Sequence, residues 1–280
     1  MLKLTVSGPI FLTLSEVNYA NLHEVSFPNV VFGKSLTHGN LVLNANNRAL
    51  NILGEARLEN VPVKLEWHKN FNDDAEIQTG YEISGQLNAE RLHEILSLYV
   101  RPFDPEYLSG DLKFAVTAGI KSNGQGTLQT EIDLKDARIF IPEIGWVKSK
   151  MVETKLSFAA KFSEAGINKI PSVKIMGGGL TLTGTAQLKD KNFYEFNLIN
   201  FGFGDTVVSG KVLYDGAKWQ IQLGGPKLDL TAFLNQEEQN DRKYVRGPPI
   251  QIDLKVDQIK LSPGRYLSNI DASLRNDGLV

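Results

Sequence analysis

Cysteine is absent from the chain. That excludes disulfide frameworks, thiolate zinc sites and cysteine nucleophiles, although it assigns no compartment. Histidine is scarce: His23, His38, His68 and His93 are the whole complement. They show neither His-x-x-His nor His-Glu-x-x-His spacing, and isolated histidines beside strands read as surface or structural residues. No Gly-x-Ser-x-Gly nucleophile elbow occurs. A basic surplus is missing too, with 30 Lys and Arg against 32 Asp and Glu. This balance argues against nucleic acid as a partner, since such binding draws on unpaired cations. No run approaches the roughly 20 apolar residues of a membrane-spanning helix. The opening "MLKLTVSGPIF" also lacks the basic region and long apolar stretch of a secretion signal.

Three near-misses are set aside. "MGGGLTLTG" leads from Gly177–Gly179 into an alternating strand at Leu180 and Leu182, whereas a phosphate loop opens a helix. Gly202-Phe203-Gly204 has neither a correctly spaced third glycine nor a following helix. Asp73, Asp74 and Glu76 in "NFNDDAEI" lack the glycine and terminal glutamate of a calcium loop and read as a solvated loop. No catalytic residue, metal ligand or cofactor follows, and the chain is read as a non-enzyme.

What is present is alternation. In "PVKLEWH", Val63, Leu65 and Trp67 alternate with Lys64 and Glu66. In "MVETKLSFAAKF", Val152, Leu156, Phe158, Ala160 and Phe162 oppose Glu153, Lys155, Ser157 and Lys161. "TVVSGKVLYDGAKWQIQL" folds two such strands about Asp215-Gly216. Period-two patterning marks half-buried strands, and roughly eighteen are predicted, joined by turns such as Asn123-Gly124 and Asn276-Asp277-Gly278. Leu2, Leu4 and Val6 place the start beside a strand, and "IDASLRNDGLV" stops where another is about to begin, so a piece of a longer chain is expected.

One helix is predicted, over 88–99, with Leu92, Ile95, Leu96 and Tyr99 on one stripe after an Asn88 cap. It either buries that stripe on the sheet or serves as a plug or docking surface. Residues 235–249, polar, charged and closed by two prolines, read as a flexible linker. Gly54, Gly85, Gly110, Gly184 and Gly210 share a local pattern, as in "ISGQL" and "VSGKV". They are either mid-strand bends that crease the sheet or ordinary strand-end glycines.

From near Trp67, roughly two thirds of the chain resembles the AsmA-like family of envelope proteins of diderm bacteria, within the TamB/AsmA-like superfamily, and most closely its YhdP-type members. The resemblance is carried by "YEISGQLNAERLHEIL", "LSGDLKFAVTA", "DLKDARIFIPEIGWVK" (Asp133 to Lys148), "GGGLTLTGTAQL", "FGFGDTVVSGKV" and "PKLDLTAFL", followed by "PPIQIDLKVDQIKL". It implies a long, strongly curved antiparallel sheet forming one continuous open apolar groove over 1–280, with one or two short helices. It also implies a periplasmic location, an inner-membrane anchor outside this chain, and carriage of phospholipids between inner and outer membranes. The expected partners are phospholipid acyl chains, the two membranes through the full-length protein, and other envelope proteins.

Roughly eighteen strands at about 4.8 Å spacing span on the order of 80 Å, which suits a trough better than a pocket. Each methylene kept from water is worth about 0.8 kcal/mol, so a sixteen-carbon tail costs on the order of 13 kcal/mol to expose. An apolar groove removes most of that cost while head groups stay in water. The candidate lining is Ile132, Leu134, Val152, Leu156, Phe158, Phe162, Val208, Val212, Trp219, Ile221 and Leu223. The same residues would otherwise pack the dry core of a structural or adhesive sandwich or barrel.

Overall fold

The computed structural model describes residues 18–31, 33–96, 106–189, 192–237 and 248–278. Their alternating pattern folds as an all-β chain, 74% strand, in one 17-stranded, mostly antiparallel open sheet that is not closed into a barrel. The first strands are β1 (Asn18–Val31), β2 (Lys34–Ala45), β3 (Ala49–Leu58), β4 (Val61–Asn70) and β5 (Thr79–Asn88). The β2–β3 turn is locked by Asn46, whose Oδ1 accepts the amides of Arg48 and Ala49. Helix α1 (Ala89–Leu96) follows β5, capped by Asn88 Oδ1, which accepts the Arg91 amide at 2.8 Å. The cap agrees with the prediction; residues 97–99 of the predicted helix lie outside the described residues, as does the predicted strand at Leu2 to Val6.

The chain continues through β6 (Leu108–Ile120), β7 (Gly126–Asp133), β8 (Ala137–Ile141), a 3-10 turn (Pro142–Ile144), β9 (Trp146–Lys148) and β10 (Thr154–Ser163). Then come β11 (Gly166–Gly177), β12 (Leu180–Lys189), β13 (Asn192–Phe203), β14 (Thr206–Tyr214) and β15 (Trp219–Asp229). Helix α2 (Thr231–Glu237) precedes β16 (Ile250–Ser262) and β17 (Arg265–Asn276). The linker reading of 235–249 is therefore corrected at its start, because Asn235 to Glu237 close α2, while 238–247 lie outside the described residues. A seven-residue helix is too short to show a helical period.

Strands β1 to β7 pair in chain order, β7 pairs with β10, and β10 to β17 again pair in order. Strands β8 and β9 extend the β7–β10 hairpin beyond a break, with β8 on the same edge of β6 as β7. The β15–β16 pair is parallel, and α2 lies in its crossover, as a parallel step requires a long connection. Leaving β8 and β9 aside, fifteen successive strands span on the order of 70 Å.

One register line crosses all fifteen. It runs Leu22, Leu41, Gly54, Leu65, Ile83, Val116, Thr130 and Phe158 on β1 to β10. It continues through Val173, Gly184, Leu198, Gly210, Leu223, Leu254 and Ala272 on β11 to β17. Directly opposed residues share a face, so this line is a nearly unbroken apolar ridge. Its glycines resolve the choice between bends and strand ends. A Cβ on Gly210 would lie 2.0 Å from the Gln222 carbonyl oxygen, and one on Gly54 (φ 151°) 2.3 Å from that of Asn40. Both are inside strands and beside register shifts, where neighbouring backbones close in and the sheet bends.

Candidate functional site

Two further lines flank the central one. The first runs Ala56, Val63, Gly85, Phe114, Ile132, Leu156, Ile175, Leu182, Phe201 and Val208. The second runs Ile170, Ala186, Phe196, Val212, Ile221, Ile252 and Leu274. Between them lie the outward residues of the other face, such as Lys64, Glu66, Lys113, Glu131 and Lys174, all exposed. The sheet thus has one apolar and one polar side, and a one-sided antiparallel sheet must cover its apolar side with something.

The cover differs along the sheet. On β2 to β5 the apolar side chains pack on one another: Leu36 and Leu41 are each 2% exposed, and Ile52, Val63, Leu65, Trp67 and Ile83 are also buried. On β10 to β15 the same-face residues Leu156, Phe158, Val173, Leu182, Phe196, Leu198, Val212, Ile221 and Leu223 are only half-buried. Leu156 packs against a buried cluster at one margin, and no second layer of described elements lies over the other eight. This half-covered strip is the candidate site.

Its two long margins differ. At one, α1, β8, β9 and α2 gather over the strand ends. Ala89, Leu108, Leu112, Leu134, Ala137, Ile139, Trp146 and Leu180 form a buried cluster there. Trp146 Nε1 donates to the Gly178 carbonyl at 2.9 Å, tying β9 to the β11–β12 turn. Ala232 of α2 sits so close to Gly145 that a Cβ there would lie 2.8 Å from the Ala232 methyl. Lys148, 1% exposed, fills the break between β7 and β8. Its Nζ donates to the carbonyls of Leu134, Lys135 (2.8 Å) and Ala137 (2.7 Å). Burial pushes this ammonium below the ordinary lysine value, and the charges of Asp133, Asp136 and Glu153 oppose that.

The root of α2 is held by Lys260, whose Nζ lies 2.8 Å from Asp205 and 2.9 Å from Asp229. Burial works to raise the Asp229 carboxyl, but hydrogen bonds from Thr231 and Lys260 outweigh it and hold the group below the usual range. At the other margin Trp219 stacks obliquely on Tyr214 (4.6 Å between centroids) and Phe193 (5.6 Å). The polar side has its own network: Glu195 is buried, with Lys211 Nζ at 2.8 Å and Asn197 Nδ2 at 2.7 Å.

Nine of the eleven predicted lining residues lie on strands of the apolar side. Phe158 and Leu223 fall on the central line, Ile132, Leu156 and Val208 on the first flank, and Val212 and Ile221 on the second. Phe162, opposite Gly126, and Trp219, opposite Tyr214, stand at the aromatic margin. Two lie elsewhere. Leu134 is in the turn after β7, inside the Trp146 cluster. Val152, 39% exposed, is in the turn between β9 and β10 because residues 149–153 bulge out and interrupt the alternation. The prediction omitted Val173, Ile175, Leu182, Phe196, Leu198 and Phe201; the alternation in "EFNLINF" marks the last three, although a register shift between Leu198 and Phe201 breaks its period.

No family model, no curated protein and no solved structure matches the chain.

Proposed function

We propose that this chain is a segment of a lipid-carrying trough, which holds phospholipid acyl chains along the half-covered face of β10 to β15 and passes them between the inner and outer membranes of a diderm envelope. The observation that carries this reading is the apolar strip itself: aligned Leu, Ile, Val and Phe side chains, half-exposed and without a second layer among the described residues. A tail moving along such a strip exchanges one hydrocarbon environment for another, so the large cost of exposing it to water does not arise. Weak, repeated contacts favour passage over retention. The resemblance to AsmA-like proteins supports the same reading, and with it we infer a periplasmic segment of a protein anchored in the inner membrane.

A structural or adhesive role with a dry core draws on the self-packed residues of β2 to β5. Native mass spectrometry of the purified chain, with solvent extraction of the same sample, separates the two. Phospholipid retained through purification and lost from Phe158→Glu supports the trough. A stable chain that is reproducibly lipid-free supports the dry-core role.

A further inference from the structure

The two rims of the lipid strip are built differently. At one, α1, β8, β9 and α2 gather over the strand ends, and the Lys148 and Lys260 ammonium groups are spent on internal carbonyls and carboxylates. At the other, β13, β14 and β15 each end in an aromatic ring, Phe193, Tyr214 and Trp219, half-buried on the apolar side and packed in a row. The Tyr214 hydroxyl donates to the Gly216 carbonyl at 3.2 Å, in the turn beyond the strand end. Its ring therefore lies inward on Trp219 and its polar tip outward. Tyrosine and tryptophan gather where one end of the side chain is apolar and the other wet, and for the same reason they sit at head-group level in membranes.

Two unused groups accompany these rings. The Trp219 indole N–H has no partner among the described residues, whereas that of Trp146 is taken by the Gly178 carbonyl. Lys218, the residue before Trp219, and Lys189, the last residue of β12, are both exposed, and neither is in an ion pair with a described residue. Asp215 in the same turn does not occupy Lys218, because its Oδ1 accepts the Ala217 and Lys218 amides at 2.9 Å each. From β12 to β15 is three strand spacings, roughly 14 Å, so the two ammonium groups serve neighbouring ligands rather than one.

We propose that this aromatic rim is the head-group side of the trough: the phosphate of a bound phospholipid accepts the Trp219 N–H and faces Lys218, the phosphate of its neighbour faces Lys189, and the tails run inward over Phe196, Val212 and Ile221. The proposal rests on the lipid-trough reading and adds an orientation to it. Ammonium and indole N–H groups both suit an anionic oxygen. Placing them at the end of an apolar strip fits a ligand that is charged at one end only.

The test uses the full chain loaded from phosphatidylglycerol vesicles whose acyl chains are brominated either near the glycerol or near the methyl end. Bromine quenches nearby tryptophan, and the Trp219 signal is the difference between wild type and Trp219→Phe, since Trp67 and Trp146 are buried. Glycerol-end bromines should quench Trp219 more than methyl-end bromines, and the difference should be lost in Trp219→Phe. Lys189→Gln/Lys218→Gln should weaken phosphatidylglycerol retention by about threefold or more, the scale of exposed charge pairs. Its retention of diacylglycerol with the same chains, which has no phosphate, should be unchanged. Lipid bound with equal or reversed quenching overturns the orientation and leaves the trough standing, as does unchanged phosphatidylglycerol retention in the double variant. Failure of the wild type to take up any lipid overturns both.

Discussion

Strands β2 to β5 and strands β10 to β15 share one sheet, one alternation and one continuous register line, yet the first group buries its apolar face and the second leaves it half-covered. The hydrophobic content of the strands therefore does not decide which half is filled. Shape and cover decide it. In the first group Leu36, Leu41, Val63, Leu65 and Trp67 reach one another and close a core. In the second, α1, β8, β9 and α2 concentrate at one margin and leave the middle of the strands open.

This contrast predicts its largest effect for charge insertion. Leu65→Glu puts a carboxylate into a packed cluster at a cost of several kcal/mol and should abolish cooperative folding. Phe158→Glu, on the same register line, should leave the far-ultraviolet circular dichroism intact while removing bound lipid. A soluble, cooperatively melting Leu65→Glu would erase the distinction. Truncation should show a smaller version: Leu65→Ala leaves a cavity and should cost about 2–5 kcal/mol in denaturant unfolding, whereas Leu198→Ala, at a residue that is only half-buried, should cost about 1 kcal/mol or less.

Bends offer the next test. Gly210→Ala would drive a Cβ to 2.0 Å from the Gln222 carbonyl oxygen, while Gly202→Ala meets nothing within 4 Å. The first should destabilise by about 1–3 kcal/mol, and the second should be neutral within a few tenths. Equal unfolding midpoints for the two variants would remove the crease from the account.

The smallest effect concerns the root of α2. Asp229 is held below the usual carboxylate range, so its contribution to stability is present above that range and is lost as pH falls through the depressed value. Lys260 is raised above the ordinary lysine value by Asp205 and Asp229, so its contribution holds below that value and is lost only as pH rises far into the alkaline range. Asp229→Asn should therefore narrow the stability gap between neutral pH and about pH 3 measured by urea unfolding. An unchanged gap would show that the pair does not anchor the helix.

Much of this architecture was legible in the sequence. The alternation of Val63, Leu65 and Trp67 and of Leu156 and Phe158 identified strands and their inward faces, because a pleated strand turns successive side chains to opposite sides. Asn88 marked the start of α1 by its capping chemistry. Other features depend on partners distant in sequence. Lys148 reads as an ordinary surface lysine, and only the break after β7 supplies the three carbonyls that bury it. Val152 continued the alternation on paper but lies in the turn that connects β9 to β10. The division into filled and open halves is likewise invisible to a local pattern, since Leu65 and Phe158 occupy equivalent strand positions and differ only in what surrounds them.

The central claim is that lipid lies on the second half and not the first. Placing photoreactive p-benzoylphenylalanine at Phe158, Phe196 or Tyr81, irradiating cells and analysing the purified chain for phospholipid adducts tests it most directly. All three positions are half-buried aromatics on the apolar side, so the substitution perturbs them alike. The account predicts adducts at Phe158 and Phe196 and none at Tyr81; adducts at Tyr81 to the same extent, or at none of the three, would contradict it.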